Sequence, residues 1–272
     1  MCDKRLRQVV TAVSDGAVAA TSIERYAADM QRKTGLRPQR PATAQASSGA
    51  SKASTPSGNA RETEGGFLTA EQREQLAGVF ARMECPLILK AEPDSRPVSE
   101  DLRRMLMELA ALTDKLTVEW TPPSDGPERP CVRVLRADGT DTGIAFHGVP
   151  GGHEFNSFVV GLYNAAGPGQ SIDPALAEAI AAIDRPLDLQ IVVALSCTMC
   201  PELVIAAQKI AASNPLVTAK VYDVNHFPEL RERYKIMSVP CLIINKAKVA
   251  FGKKTLGQLL ELLAEPEDGQ TG

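Results

Sequence analysis

Apolar and polar positions along this chain fall into segments whose period switches between about 3.6 and 2, beginning near residue 69. Thr69 is a good N-cap, and Leu76, Val79 and Phe80 follow it at helical spacing, which predicts a first helix. An apolar run over 86–91 predicts a strand. Behind it come a helix over 99–112, strands over 116–120, 131–136 and 143–146, and a helix over 154–165. The order then starts again, with a helix over 173–183, a strand over 187–195, a helix over 201–212, a strand over 216–223 and a helix over 228–234. A hairpin of 242–245 and 248–251 and a closing helix over 256–263 complete it. The predicted class is α/β, one strand-and-helix order used twice.

The duplication has a register. Pro86-Leu87 and Pro186-Leu187 both stand at a helix-to-strand junction, 100 residues apart. Eleven positions beyond each proline lie Pro97 and Cys197, so Pro97-Val98-Ser99-Glu100 takes the place that Cys197-Thr198-Met199-Cys200 holds later. Pro130-Cys131 and Pro240-Cys241 each open an apolar strand, with the offset grown to 110 by loop length. A repeat this long is a domain duplication rather than a solenoid.

Composition changes at about residue 35, where a Ser-, Ala-, Pro- and Gly-rich stretch runs to Gly66 with almost no apolar side chain larger than alanine. Residues 35–66 are expected to be a disordered linker. They separate a piece of 34 residues, too short to enclose a core although 15–33 suits a helix, from two units over 67–168 and 169–264 and a tail over 265–272. Thirty Lys plus Arg against 33 Asp plus Glu leave a net charge of -3, and aromatics are 4% of residues. Neither the charge to neutralise phosphates nor the rings to stack bases are there, so nucleic acid is excluded as a partner. No apolar run approaches the roughly 18 residues of a membrane span, and the first ten residues lack the apolar core of a secretory signal. A cytoplasmic protein with no membrane partner is expected. Six cysteines, at 2, 85, 131, 197, 200 and 241, are too few and too scattered for a secreted disulfide scaffold.

The chemistry lies in IVVALSCTMCPELVIAAQKIAA, where CxxC stands between a strand and a helix. At a helix N-terminus the free N–H groups and the dipole favour a thiolate at Cys197 and make it the attacking sulfur. Cys200, in the first turn, is placed to close an intramolecular disulfide, and Pro201 fits a turn in which its missing N–H has no partner. About 40 residues on, Val239-Pro240 opens a strand, and in this element order the pair is expected to form a cis-proline loop beside the CxxC. Together these features predict a thioredoxin-like fold in each half, the first without CxxC and the second redox-active.

Other readings of the same residues stay open. A zinc centre on Cys197 and Cys200 needs two more ligands, for which Cys241 and His226 are available but no second CxxC or HxxxH exists, so no metal is assigned. A structural disulfide does not suit a reducing compartment. Cys241 is a third thiol near the pair or, by preference, a small buried apolar residue; Cys85, Cys131 and Trp120 are expected in the core. His147, His153 and His226 are expected at the surface or as caps, and Glu154 as a first-turn acid favoured by the helix dipole.

The stretch from about 68 to 263 resembles the N-terminal domain of the flavoprotein subunit of bacterial alkyl hydroperoxide reductase, a tandem of thioredoxin folds. GVPGGHEFNSFVVGLYNAAG (148–167), LSCTMCPELV (195–204), NPLVTAKVYDV (214–224) and MSVPCLIINKAKVAFGKKTL (237–256) carry the resemblance. It implies that electrons pass from an FAD-containing, thioredoxin-reductase-like portion through Cys197 and Cys200 to a peroxiredoxin. It also implies that Glu154, in the GHEF motif, lies close to the redox pair, where its negative charge opposes thiolate formation. Residues 3–29 resemble the extreme C-terminal segment of low-molecular-weight thioredoxin reductases, with Arg7-Gln8 matching its flavin-site pair. The Gly-Asp usually found upstream and the whole GxGxxG core are missing, so FAD and NAD(P)H are expected on a flavoprotein partner and not on this chain.

The expected function is therefore dithiol–disulfide exchange, relaying electrons from a thioredoxin-reductase-like flavoprotein to a peroxiredoxin or another thioredoxin-like client. The expected setting is the C-terminal part of a fused thioredoxin reductase, the other being a separately translated electron-shuttle domain. Catalytic roles are expected for Cys197, Cys200, Pro240 and Glu154, with Arg7 and Gln8 binding a cofactor only as part of a flavoprotein. The alternatives are an interaction scaffold and a zinc-stabilised binding domain with an idle CxxC.

Overall fold

A computed structural model describes residues 67–265. The N-terminal piece, the linker, Arg7, Gln8 and the tail beyond Glu265 lie outside the described residues.

The first half opens with α1 (Ala70–Phe80), started by a reciprocal cap in which the Thr69 hydroxyl accepts from Gln72 N–H and the Gln72 side chain accepts from Thr69 N–H. It continues through β1 (Leu87–Glu92), α2 (Val98–Ala110), β2 (Leu116–Trp120), β3 (Cys131–Arg136), β4 (Asp141–His147) and α3 (Glu154–Ala166). The second half repeats the order with α4 (Pro174–Ala181), β5 (Leu187–Val193), α5 (Cys200–Ser213), β6 (Val217–Asp223), α6 (Pro228–Arg233), β7 (Cys241–Ile244), β8 (Lys248–Phe251) and α7 (Leu256–Ala264). Most predicted boundaries hold to within two residues.

Among the described residues all eight strands share one sheet, in the order β2-β1-β3-β4-β6-β5-β7-β8. Each half contributes the same four-strand pattern: a parallel pair (β1·β2, β5·β6) followed by two antiparallel ones (β1·β3 and β3·β4, β5·β7 and β7·β8). The halves join where β4 runs parallel to β6, Ile144 facing Ala219 and His147 facing Tyr222. Central strands such as β5 and β7 are buried on both faces, which is why they read as continuous apolar runs rather than alternating ones. On one face α3 packs against α5 and is buried almost all round.

The repeat extends to hydrogen bonds. Arg129–Pro130 and Val239–Pro240 are both cis, and the Pro130 and Pro240 carbonyls accept from Gly148 N–H (2.8 Å) and Gly252 N–H (2.9 Å) at matching places. The expected register slips at the helix after the first strand. That helix begins at Val98 in the first half and at Cys200 in the second, so the Pro97-to-Glu100 match to the CxxC is two residues out. The extra residues form the turn that carries Cys197.

Several expected locations are corrected. Cys85 is exposed, held at the surface because its N–H donates to the Ala166 carbonyl (2.9 Å). Trp120 is half-buried, since β2 is an edge strand, and the Arg103 guanidinium lies 4.3 Å from its ring centre. His147 is buried, because β4 is an inner strand and its ring stacks on Tyr222 at 4.0 Å. His153, by contrast, is at the surface as expected, exposed at the N-cap position of α3 without a side-chain capping bond.

The vestigial site of the first half is filled by Arg96. Its Nε donates to Asp94 Oδ2 (2.6 Å), its Nη1 to the His226 carbonyl of the second half (2.7 Å) and its Nη2 to the carbonyl of Arg129, just before cis-Pro130.

Candidate redox site

β5 ends at Val193, and the chain turns so that Cys197 N–H donates to the Ala194 carbonyl (2.9 Å) before α5 starts at Cys200. Pro201 occupies the first turn, as expected. Cys197 is half-buried, Cys200 is fully buried, and both are free thiols. Cys197 Sγ lies 3.9 Å from the Val239 carbonyl oxygen, the last acceptor before the cis bond to Pro240. The three second-half residues predicted to form a site therefore meet, and exposed Met199 and Met237 flank them in sequence.

Glu154 reaches the same place from the first half. It is the first residue of α3 and is 0% exposed. The loop before it leans on the loop before the CxxC: His153 N–H donates to the Leu195 carbonyl (2.9 Å), and Gly152, with φ +55°, sits where a Cβ would stand 2.4 Å from that oxygen. Ser157 donates its hydroxyl hydrogen to Glu154 Oε2, while Oε1 is buried without a partner. Burial lifts the Glu154 carboxyl to about 7 against the opposing hydrogen bond from Ser157.

Burial also pushes the Cys200 thiol well up. Its hydrogen bond with Cys197 and the negative charges of Cys197 and Glu154 add to this, and only a backbone contact at Ala194 opposes it. The Glu154 charge is the smallest of these contributions to the Cys200 shift. Sequence reasoning missed Ser157, three residues beyond Glu154 on the same helix face, and Leu195, whose carbonyl receives the first half. The Ser157 spacing was available in the sequence, whereas nothing local marks Leu195.

Other candidates stand apart. Cys241 packs in a core cluster with Val192, Tyr222, Phe227, Ile236 and Ile243, where burial pushes its thiol up to about 11. Cys131 is buried, and burial followed by the Glu92 charge pushes its thiol up to about 12. His226 lies 3.8 Å from Asp223. Among the described residues no three His, Cys, Asp or Glu side chains converge as a metal site, and no helix is long and apolar enough to cross a membrane. The glycine-rich turn over 148–152 does not fit a cofactor phosphate: Gly152 is closed off by Leu195, and Gly151 lies against Leu195 and Phe67.

A duplicated thioredoxin fold whose second copy presents CxxC before a helix and beside a cis-proline defines the class. The family model for the thioredoxin domain matches residues 187–264. The N-terminal domain of alkyl hydroperoxide reductase AhpF from Enterococcus faecalis (V583) superposes with a TM-score of 0.69 at 36% identity, covering 73% of this chain and 100% of that one. The F subunit of the Pseudomonas aeruginosa alkyl hydroperoxide reductase is 31% identical over 203 residues, and an NADH dehydrogenase of Ferdinandcohnia aciditolerans is 30% identical over 205. These matches take in 75% and 74% of this chain, which spans only 38% of the length of either relative. The chain belongs to the family of the tandem thioredoxin-fold N-terminal domains of alkyl hydroperoxide reductase AhpF.

Proposed function

We propose that this chain is a dithiol–disulfide exchange module that carries electrons from a thioredoxin-reductase-like flavoprotein to a peroxiredoxin or a thioredoxin-like disulfide client. The observation that carries the reading is the pairing of a half-buried thiol with a fully buried one: Cys197 beside the Val239 carbonyl, and Cys200 buried behind it in the first turn of α5. FAD and NAD(P)H belong to the flavoprotein in this reading. The fused-reductase setting and the N-terminal Arg7-Gln8 segment are part of the same proposal.

The steps balance. The Cys197 thiolate attacks one sulfur of the client disulfide, a mixed disulfide forms, and one client thiolate leaves. Cys200 gives its proton to the Glu154 carboxylate, and its thiolate attacks Cys197 Sγ. The second client thiolate leaves, and a Cys197–Cys200 disulfide remains. Two electrons have moved from the dithiol to the client, and the flavoprotein returns two to the module. A carboxyl that ionises near neutrality is matched to accepting a proton from a thiol that burial keeps protonated.

The test is a thiol count on the oxidised protein, with and without a thioredoxin-reductase-type flavoprotein and NADPH. Two additional thiols are expected in the wild type and none from this pair in Cys197→Ser. Cys200→Ser should stall as a mixed disulfide with its client. Equal turnover in Cys200→Ser would replace this scheme with monothiol chemistry.

A further inference from the structure

Among the described residues the Glu154 carboxyl has a single hydrogen-bond partner. Ser157, one turn further along α3 and also 0% exposed, donates its hydroxyl hydrogen to Oε2, and Oε1 has no partner. The same hydroxyl lies 3.2 Å from the backbone carbonyl oxygen of Glu154. Its one hydrogen thus has two acceptors, and only one of them changes its charge.

With the carboxyl ionised, Oε2 is the stronger acceptor, because a hydrogen bond to an ionised group is roughly twice as strong as one between neutral groups. With a proton on Oε1, both acceptors are neutral carbonyl oxygens and the advantage of Oε2 is gone. The hydroxyl therefore favours the carboxylate, against burial, which favours the protonated form. No charged side chain of β1, β3 or β4, the strands packed beneath α3, adds to this balance. The ionisable groups that bear on Glu154 from the other side are Cys200 on α5 and Cys197 in the turn before it, while its neighbour His153 is exposed.

We propose that Ser157 is a positioning residue for the resolution step: its hydroxyl holds Oε2, leaves Oε1 as the oxygen that takes the Cys200 proton, and so sets the pH range in which Glu154 accepts it. The inference rests on the preceding assignment of Glu154 as proton acceptor. In the step, the S–H bond of Cys200 breaks and an O–H bond forms on Oε1. The electron pair left on the Cys200 sulfur makes the bond to Cys197 Sγ as the bond from Cys197 to the client breaks, and the client leaves as a thiolate. Ser157 keeps its own hydrogen throughout. Without the hydroxyl only burial acts on the carboxyl, which then stays protonated to higher pH.

The test has two readouts. The ionisation of Glu154 is followed by carbon NMR on reduced protein labelled at the glutamate carboxyls, its signal identified by its loss in Glu154→Gln. The chemistry is followed with an aromatic disulfide reagent as client, which releases one coloured thiolate when Cys197 attacks and a second when Cys200 resolves the mixed disulfide. Ser157→Ala should raise the midpoint of the NMR titration, and that of the second release against pH, by about one unit, a tenfold change in proton concentration. The second release should then be about fivefold slower at pH 7, while the first, made by Cys197 before Glu154 acts, keeps its rate. Ser157→Thr, which retains the hydroxyl, should return both midpoints towards wild type. Made in Glu154→Gln, Ser157→Ala should change the second release no further, whereas a merely structural serine would slow it in both backgrounds. Should the added methyl of threonine prevent folding, this double variant decides. An unmoved NMR midpoint in Ser157→Ala overturns the proposal. A moved midpoint beside an unmoved second release would instead overturn the role of Glu154 on which the inference rests.

Discussion

Gly152 sits so close to Leu195 that a Cβ would come within 2.4 Å of the Leu195 carbonyl oxygen, at a φ of +55° that side chains rarely adopt. This contact brings the first half against the turn that leads into the CxxC, and the next residue, His153, donates to the same oxygen (2.9 Å). Gly152→Ala should therefore act twice: a loss of about 1–3 kcal/mol in urea unfolding, and a displacement of Glu154 from Cys200. The second effect is read in the resolution step, whose pH dependence should resemble that of Glu154→Gln. An alanine variant with wild-type stability and pH profile would mean that the loops need not touch.

Glu154 makes stability depend on pH in an unusual direction. Burial raises its folded carboxyl to about 7 from 4.5, so the unfolded chain releases the proton first as pH rises. Its contribution is complete below about 4.5 and declines through neutrality, by up to about 3 kcal/mol. Glu154→Gln, which keeps the shape without the ionisation, should be more stable than wild type at pH 8 and close to it at pH 4.5. Denaturant midpoints at the two pH values check this, and an equal difference at both would refute it.

The second half was the more legible in sequence. Cys197, Cys200 and Pro240 are fixed by local rules: a strand runs out, a helix starts with a proline in its first turn, and an X-Pro opens the next strand. What the periodicity could not convey is how distant segments meet. His147 looks like a loop residue because its stacking partner Tyr222 lies 75 positions later, on the other side of the β4–β6 junction. Trp120 looks like core because an edge strand has the same alternation as an inner one. The predicted strand over 187–195 runs two residues long because Ala194 is taken into the turn that receives Cys197 N–H, a bond with no compositional mark. Glu154 came forward only through family resemblance, since an acid in the first turn of a helix is ordinarily solvated.

His147 provides the opposite pH dependence. Burial pulls its imidazole down to about 4, outweighing the contact of Nδ1 with the Glu128 carbonyl. That carbonyl can only accept, so Nδ1 carries the hydrogen and Nε2 is a buried acceptor without a partner. Stability from the neutral ring is complete above about 6.5 and is lost as pH falls towards 4, by up to about 3 kcal/mol. Because Glu154 declines over nearly the same interval as His147 rises, the two contributions offset each other. His147→Phe, which keeps a ring against Tyr222, should expose the Glu154 slope as a fall in stability from pH 5 to 7. Glu154→Gln should expose the His147 slope as a rise. Parallel profiles in the two variants would exclude this balance.

Arg96 stands to Arg129 much as Cys197 stands to Val239: each reaches the carbonyl just before a cis-proline, from the loop after the first strand of its half. In the second half that carbonyl faces the half-buried Cys197 thiol. In the first half the guanidinium covers it and extends to His226 of the other half (2.7 Å) and to Asp94 (2.6 Å). Asp94 is 7% exposed; burial works against its charge, yet bonds from Ser99 and Arg96 hold its carboxyl below the ordinary value. Arg96→Met keeps much of the stem and removes all three donors, leaving two carbonyls uncapped and a buried carboxylate short of its cation. The expected loss is about 1–3 kcal/mol, moderated by the partial exposure of the arginine side chain. Because an Asp94 held below its ordinary value contributes stability only while ionised, the loss should shrink as pH falls below about 4. The redox chemistry of Cys197 should be unaffected, since the bonds removed belong to the vestigial site and the brace between halves. Urea unfolding at pH 7 and pH 3.5, beside the rate of first thiolate release, separates these outcomes. A variant as stable as wild type at pH 7 would make Arg96 a surface arginine, and the covered carbonyl of the first half would have to be explained by another contact.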